Sequence, residues 1–161
     1  MSMDMFLKLG SIKGESIDHK HKDEIEILSW SWGSSNSGTR QIARGGGAGK
    51  ANFQDLALTK WIDMATPDIW KSVASGKHLP DATLTIRKAG GEGPVDYMVV
   101  NMEEVMITSV SSGGSGGEDR LTENITLNFA RFKIKYTEQD IGGGKGKDAN
   151  MGWDIPANKS I

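Results

Sequence analysis

The sequence predicts an all-β fold, a bent two-sheet β-barrel or sandwich with one short flanking α-helix at about residues 66–76. Three observations lead to this prediction. Apolar and polar side chains alternate in many runs, the period of a half-buried strand, and Ala82–Arg87 alternates most cleanly. Helix start and stop signals occur together around residues 66–76. Several runs change the phase of their alternation partway, which is typical of sharply bent or bulged sheets.

The run Glu24–Gly33 anchors the predicted core, because it contains two of the five tryptophans. A buried Trp side chain removes on the order of 200 Å² from water. The isoleucines of this run lie at odd positions, whereas Leu28, Trp30 and Trp32 lie at even positions. A bulge between Ile27 and Leu28 would restore one apolar face; alternatively, both faces of the strand are covered.

The remaining strands follow from alternation and from apolar runs. We assign them to residues 4–9, 51–60, 82–87, 95–110, 121–136 and 152–155. The phase also changes within 51–60 and at Ala130–Arg131. Strands of a flat sheet keep one phase of alternation. Three phase changes therefore lead us to expect a curved sheet.

The predicted helix has signals at both ends. Thr66 is expected to cap its first turn, Pro67 suits a first helical position, and Asp68 favours the positive end of the dipole. Gly76 is expected to end the helix. With about three turns, the helix is too short to form a core, so we expect it to pack on the β-structure.

The composition excludes several classes of protein. The 161-residue chain is expected to form a single domain over residues 1–161. Its net charge is −2, from 19 basic and 21 acidic residues, without the basic stripe of nucleic-acid-binding proteins. No apolar run approaches the roughly 20 residues of a membrane-spanning helix, and the N-terminus lacks signal-peptide features. The absence of cysteine excludes disulfides and thiol catalysis.

Two glycine-rich segments are predicted to be flexible, at about residues 33–50 and 142–150. The first exceeds the roughly 12–15 residues usual for a loop in a compact domain, so it is expected to be functional or disordered. It includes Gly45–Lys50, which is similar to a phosphate-binding loop. Arg44 and Ala51 replace the required Gly and Ser or Thr, and a strand is predicted to follow instead of a helix. We therefore expect a loop that binds no nucleotide.

No group of residues in the sequence points to catalysis. His19 and His21 could face the same side of an extended segment, yet His78 is the only other imidazole, so solvated loop histidines are expected. Glu103–Glu104 and Glu118–Asp119 are adjacent carboxylates, and neighbours on a strand point to opposite faces. We predict that the protein is not an enzyme and needs no metal or other cofactor.

Two other classes of function stay open at this point. Trp30 and Trp32 would serve a carbohydrate-binding sandwich as a stacking platform if both rings were exposed, although their shared parity with Leu28 favours the core. A metal- or hydroxyl-dependent hydrolase would require a clustered site. A fluorescence response to glycans, or activity lost on chelation, would distinguish these two classes.

Short motifs along nearly the whole chain have the pattern of one known family. They are Asp4-Met5-Phe6-Leu7-Lys8, Gly14-Glu15-Ser16, Ile27-Leu28-Ser29-Trp30-Ser31-Trp32-Gly33, Gly49-Lys50, Thr59-Lys60, Arg87-Lys88-Ala89-Gly90-Gly91, Ser109-Val110-Ser111, Glu118-Asp119-Arg120-Leu121-Thr122-Glu123, Leu127-Asn128-Phe129-Ala130 and Gly152-Trp153-Asp154. Through this set the sequence resembles the hemolysin-coregulated protein (Hcp) family, the tube component of bacterial type VI secretion systems.

The resemblance implies a structural tube subunit. In the family, a two-sheet β-barrel with one flanking helix forms a homo-hexameric ring. The rings stack into an inner tube, which a contractile sheath expels behind a spike protein of the VgrG type. The ring lumen binds and protects effector proteins. The implied location is the cytoplasm before firing and, without a signal peptide, the extracellular space or a target cell afterwards.

Two sets of residues are candidate contact sites in this interpretation. If Leu28, Trp30 and Trp32 face the core, alternation sends Ser29 and Ser31 to the opposite face. Small hydroxyls are an unusual choice there if the surface serves solubility alone. We hypothesise that this face lines the lumen and contacts effectors; an outer wall facing solvent is the open alternative. The expected ring-stacking loop includes Asn36, Ser37, Gly38, Arg40, Gly45, Gly46 and Gly47.

Overall fold

A computed structural model of the chain describes residues 3–38, 49–88 and 93–161. Its elements are β1 (Met3–Leu9), β2 (Ile25–Ser31), β3 (Ser34–Ser35), β4 (Asn52–Phe53), β5 (Leu56–Trp61), α1 (Thr66–Ser75), β6 (His78–Lys88), β7 (Val95–Ser112), β8 (Thr122–Gln139), β9 (Lys145–Asp154) and β10 (Lys159–Ser160). The all-β prediction with one short helix is therefore confirmed within these residues.

The strands close into a barrel. The order β8-β5-β2-β1-β6-β7 returns to β8 through the β7–β8 pairing, and every pairing is antiparallel. The first part of β8 pairs with β5, whereas its last part pairs with β9, which carries β10 on its far side. A closed barrel, and not an open sandwich, is the form that the bent sheet takes.

Both segments predicted to be flexible contain regular structure. Most of the predicted segment 142–150 belongs to β9, because Lys145–Asp154 pairs with β8. Within the predicted loop 33–50, Ser34–Ser35 forms β3 and pairs with β4 as a second, two-stranded sheet. The rest of that loop lies partly outside the described residues, which leave out 39–48.

The predicted strand 51–60 changes phase because it is two strands, β4 in the two-stranded sheet and β5 in the barrel. The other phase changes have two different structural origins. In β2, the partner of Ile27 is Lys60 and the partner of Ser29 is Thr59, so Leu28 is an extra residue. This bulge was one of the two alternatives that the sequence left open. The other origin, in β6, β7 and β8, is a shared crease.

The crease runs across three neighbouring strands without any shift of register. Buried residues change parity between Leu79 and Ala82 on β6, between Met102 and Val105 on β7, and between Phe129 and Phe132 on β8. The three changes lie in one row, because the register places Val105 opposite both Leu79 and Phe129. In this row Glu104 has a positive φ of 53°, which a non-glycine residue rarely adopts. The predicted slip at Ala130–Arg131 is thus a bend of the whole sheet.

The helix packs on β7 and closes part of the core. Its buried residue Ile69 joins the apolar cluster inside the barrel, and Val73 packs beside it. Gly76 ends the helix in the left-handed conformation, with φ 63°, as predicted. The prediction for Thr66 is wrong, because Ala65 occupies the N-cap position and no side chain caps the helix.

The Thr66 hydroxyl instead belongs to a buried ion cluster that joins β5, β8 and the start of α1. Lys60 Nζ lies 2.5 Å from Glu123 Oε1 and 2.9 Å from Asp63 Oδ1, and the Lys60 and Glu123 side chains are fully buried. Thr66 donates to the same Glu123 oxygen at 2.7 Å and accepts the Asp63 backbone N–H at 3.0 Å. A buried charge is tolerated when such partners replace its water. The cluster therefore holds the helix start against two barrel strands.

Lys60→Met tests this cluster. We expect the free energy of unfolding to fall by about 3–5 kcal/mol, because the Glu123 carboxylate stays buried without its cation. Adding Glu123→Leu should recover part of the loss, since the Glu123 carboxylate is then gone and only Asp63 of the cluster keeps a charge. Urea unfolding measures both variants, with Lys8→Met as an exposed control that should change stability by no more than about 0.5 kcal/mol. If Lys60→Met lowers the free energy of unfolding by less than about 1 kcal/mol, Lys60 is not part of a buried ion cluster that stabilises the fold.

Arg87 fastens the segment between β1 and β2 to the barrel. Its guanidinium donates to Asp18 at 2.8 and 3.0 Å and to Asp4 at 3.1 Å. The guanidinium also lies 5.0 Å from the centroid of the Phe6 ring, on which the His21 ring stacks at 4.4 Å. The hydrogen bonds from Arg87 hold the pKa of Asp18 well below its ordinary value of 3.8. They also raise the pKa of Arg87.

The lowered pKa of Asp18 predicts a pH-dependent contribution to stability. A carboxyl whose pKa is lower in the folded state stabilises the fold above its ordinary pKa, and this contribution disappears as the pH falls through the folded value. Asp18→Asn should therefore be less stable than the parent at pH 7, and the difference should shrink steadily below about pH 4. Thermal unfolding from pH 7 to pH 2 measures it. A difference that stays constant with pH would refute the role of Arg87.

Candidate functional site

Ser29 and Ser31 are exposed on the outer face of the barrel, while Trp30 between them packs against the core. This is the arrangement that alternation predicts for these three residues. The expectation for Leu28 is wrong, because the bulge turns this side chain outward and leaves it 38% exposed. Trp32 is half-buried and packs on the core as expected.

The two serines belong to a wider surface that spans four strands. Ser31 pairs with Ala57, Ala57 with Thr126, and Thr126 with Ser109. A second row of paired residues runs parallel to this one across the same strands. We call the surface the small-polar face; its residues are Ser29, Thr59, Asn124 and Ser111 in one row, and Ser31, Ala57, Thr126 and Ser109 in the other.

Hydrogen bonds tie the side chains of the small-polar face to one another. Thr59 donates to Asn124 Oδ1 at 2.7 Å, and the hydroxyls of Ser109 and Thr126 lie 2.6 Å apart. None of the residues that define the face carries a charge. The face can therefore form hydrogen bonds with a partner without a strong charge and without bulky side chains.

A bulge on β7 shapes one edge of the face. Ile107 pairs with Leu127 and Ser109 pairs with Thr126, so Thr108 is an extra residue. Bulges re-aim side chains, and this one brings two consecutive hydroxyls to the single hydroxyl of Thr126, at 2.7 Å from Thr108 and 2.6 Å from Ser109. Thr108 also donates to Asp55 at 2.7 Å, just beyond the face.

Only part of the predicted ring-stacking loop lies in the described residues. Asn36, Ser37 and Gly38 are exposed, and the side chain of Asn36 donates to the Gly49 carbonyl at 2.6 Å. Arg40, Gly45, Gly46 and Gly47 lie outside the described residues. The phosphate-loop-like stretch leads into β4 and not into a helix, as predicted.

The tryptophan rings interact with the core instead of forming a flat exposed platform. Trp32 makes edge contacts with Phe129 and Phe132, at centroid distances of 5.6 and 4.9 Å. Its indole N–H donates to the backbone carbonyl of Gln54 at 2.8 Å. A carbohydrate-stacking surface would need Trp30 and Trp32 to expose their rings, and their packing on the core does not provide this.

The adjacent carboxylates Glu103 and Glu104 do not point to opposite faces, so the sequence-based argument about them is wrong. Both bind Arg131, at 2.8 and 3.3 Å, because the positive φ of Glu104 interrupts the alternation. Their hydrogen bonds raise the pKa of Arg131, with the bond from Glu103 the larger cause. Arg131 thus balances one of the two negative charges at the crease, and both carboxylates are engaged with it.

The expectation of solvated loop histidines is wrong for His21, whose ring packs against the barrel. His21 stacks on Phe6, and its Nδ1 lies 3.0 Å from Glu24 Oε2, while His19 is exposed. Within residues 3–38, 49–88 and 93–161, no group of three or more His, Cys, Asp or Glu residues could hold a metal ion. No helix in this part of the chain is both long enough and apolar enough to span a membrane.

The fold and the small-polar face can now be compared with known proteins. The sequence profile of a family described as "Type VI secretion system effector, Hcp" matches residues 6–136 of this chain. The chain belongs to the Hcp family. A relative described as "Protein hcp1" from Pseudomonas aeruginosa is 54% identical over 159 residues, which is 98% of each chain.

Solved Hcp structures share the barrel. One described as "Structure of a type six secretion system protein" has a TM-score of 0.92 at 31% identity, covering 99% of this chain and 100% of the other. Hcp1 from Salmonella typhimurium has a TM-score of 0.83 at 37% identity, covering 100% of both chains. These matches confirm the family that the motifs indicate.

The Hcp motifs contain the charges that hold this fold together. Lys60, Arg87 and Glu123 all lie in those motifs, and each is buried. The sequence analysis identified Ser29 and Ser31 but missed the rest of the small-polar face on β5, β7 and β8. The alternating Asn124 and Thr126 on β8 carried the missing signal, since both stand opposite apolar positions in a strand of clear alternation.

Proposed function

We propose that this Hcp protein is the tube subunit of a type VI secretion system. Six chains form a ring, the rings stack into the inner tube, and a contractile sheath expels the tube behind a spike protein of the VgrG type. Family membership supports the assembly. The small-polar face, the single observation on which the role of particular residues rests, supports effector binding in the lumen.

The chemistry of the small-polar face suits a wall along which folded proteins move. Long charged side chains would cost conformational entropy when a passenger fixes them, and strong charge would exclude passengers of the same sign. Ser, Thr and Asn offer hydrogen bonds, and bridging water can serve wherever a passenger does not fit closely. In the proposed ring, Ser29 and Ser31 face the lumen, and each subunit repeats the same face.

A free strand edge supports ring formation. In the described residues, β9 pairs with β8 on one side but with β10 only at Trp153 and Asp154 on the other. Unpaired backbone groups on an exposed edge favour pairing with another chain. A neighbouring subunit that covers this edge would give each ring contact the same pair of surfaces, as closed rotational symmetry requires.

We also propose where the protein acts and that it acts without catalysis. The protein resides in the cytoplasm before firing and is then delivered outside the cell or into a target cell as part of the expelled tube. It acts as a scaffold and passage for effectors, not as an enzyme, and uses no cofactor. It neither binds nucleic acid nor inserts into a membrane.

Ser31→Gln tests the lumen assignment. The longer amide should leave the barrel and ring intact, because Ser31 is exposed, while narrowing the lumen at every subunit. Rings of the mass of six chains should persist in light scattering, yet co-purify with less effector and leave it open to proteolysis. Ser11→Gln, at an exposed turn off the face, is the matched control. Undiminished effector on intact Ser31→Gln rings would exclude this face as the cargo wall, and monomers at micromolar concentration would refute the ring.

Deleting residues 36–47 tests the stacking loop. We expect rings to remain, because the described residues of this segment, 36–38, are exposed and lie outside the apolar core, while tubes fail to form and effector secretion stops. Light scattering and a secretion assay measure the two effects separately. Normal secretion by the deletion variant would refute the proposed loop role.

A further inference from the structure

Asp55 lies at the edge of the small-polar face and contacts Thr108, whose hydroxyl is hydrogen-bonded to Thr126 of that face. Asp55 precedes β5 and has the same parity as Ala57 and Thr59. Its side chain therefore lies on the same outer side of the barrel as theirs. Its Oδ2 accepts the Thr108 hydroxyl at 2.7 Å, and its Oδ1 accepts the Asn128 amide at 2.9 Å. The carboxylate is therefore held in place by β7 and β8.

The carboxylate fixes the direction of a chain of hydrogen bonds. An ionised carboxylate only accepts, so the single hydroxyl proton of Thr108 points to Asp55. The 2.7 Å contact between Thr108 and Thr126 must then use the proton of Thr126. By the same reasoning, the 2.6 Å contact between Ser109 and Thr126 uses the proton of Ser109. Each hydroxyl thus donates towards Asp55.

This direction decides what the surface offers to a partner. The hydroxyl protons of Ser109, Thr126 and Thr108 are all donated to other side chains of this protein. Towards a partner, these three hydroxyls can therefore only accept hydrogen bonds, through their free lone pairs. A chain of this kind is polarised cooperatively, with its negative end at Asp55. At this edge the face therefore presents hydrogen-bond acceptors on β7, on β8 and on Asp55, just before β5.

The negative charge of Asp55 is not balanced within the described chain. The ion pairs formed by residues 3–38, 49–88 and 93–161 do not include Asp55. Asp55 is partly exposed, and Thr108 and Ser109 are exposed. An uncompensated anion beside oriented acceptors is complementary to a cation that carries several N–H donors, and the guanidinium of Arg and the ammonium of Lys have this chemistry.

We propose that Asp55 makes the small-polar face selective for passenger proteins whose contact surface carries Arg or Lys side chains. The inference rests on the proposed function, in which this face is the cargo wall. The rest of the face stays neutral, so passengers without such side chains still pass. Asp55 adds a preference, repeated in every subunit, for a passenger that places a basic side chain against Thr108 and Ser109.

Titration with two peptides of opposite charge tests this preference on the full chain. The probes are Gly-Arg and Gly-Glu repeats of equal length, and the readout is the methyl resonances of Thr108, Thr126 and Thr59 in the labelled protein. The Arg peptide should shift these resonances with a Kd about two- to fivefold lower than that of the Glu peptide, the range of one exposed ion pair. Raising the salt from about 0.1 M to about 1 M should abolish the preference, because the Debye length falls from roughly 10 Å to roughly 3 Å.

Asp55→Asn is the decisive variant. Its amide has nearly the same shape but replaces one acceptor oxygen by an NH2 donor group, which removes the charge and the forced direction of the chain. The preference for the Arg peptide should disappear, whereas Asp81→Asn, an exposed residue of β6, should keep it. If Asp55 merely holds β5 to its neighbours, the Arg preference survives in Asp55→Asn and the proposal is overturned. Equal Kd values for the two peptides on the unaltered protein would overturn it without any variant.

The outcome is separable from that of the proposed function. Peptide binding at Thr108 and Thr126 that depends on Asp55, combined with undiminished effector on Ser31→Gln rings, would retain the acceptor site and reject the lumen assignment. Loss of effector from Ser31→Gln rings, with no effect of Asp55→Asn on the Arg preference, would retain the cargo wall and reject the selectivity of Asp55.

Discussion

The buried pair of Lys60 and Glu123 is the constraint on which the rest of the barrel depends. These residues stand directly opposite each other on β5 and β8, and both point inward, into a core that is otherwise apolar at this level. A slip of one residue between the strands would turn every side chain of one strand to its other face. It would turn one member of the pair outward and leave the other buried without its partner across the sheet, a cost of several kcal/mol. The pair therefore specifies the register in addition to holding the helix.

Register on the inside sets the pattern on the outside. Because Lys60 faces the core, Thr59 faces out, and because Glu123 faces the core, Asn124 faces out and accepts the hydrogen bond from Thr59. The same register continues through Ala57 and Thr126 to the serines of β2 and β7. The alignment of small polar side chains over four strands is thus a consequence of where the charges are buried. Contacts between the side chains of the face are not needed to align the strands, because the buried charges already do so.

Local patterns were sufficient to predict the class of fold and most of its elements. Alternation located the strands, Gly76 ended the helix, and the parity of Trp30 placed Ser29 and Ser31 on the outer face. These signals act between residues that are close in the chain, so they can be read without knowing the fold. The phase change between Ile27 and Leu28 also located the bulge. The sequence alone could not decide between a bulge and a strand covered on both faces.

What the sequence could not supply depends on residues far apart in the chain. Lys60 and Glu123 are 63 positions apart. Each shares the parity of the apolar residues of its own strand, but only the paired strands show that the two charges meet. Thr66 looked like a cap because its hydroxyl was free to bond locally, but a buried carboxylate is a stronger partner for it. Glu103 and Glu104 were assigned to opposite faces by strict alternation, which the crease interrupts. The rest of the small-polar face was missed because its rows exist only after four separate strands are aligned.

The crease also gives one strand two chemically distinct outer surfaces. Before the crease, the outward residues of β8 are Asn124, Thr126 and Asn128, and after it they are Arg131, Lys133 and Lys135. The change coincides with the point where β8 leaves β5 and takes β9 as its neighbour. A neutral, hydroxyl-rich half and a cationic half therefore lie on the same backbone but belong to differently inclined parts of the sheet. Such a strand offers neutral hydrogen-bonding groups with one half, while two of the three cations of its other half pair with carboxylates of the neighbouring strands β7 and β9.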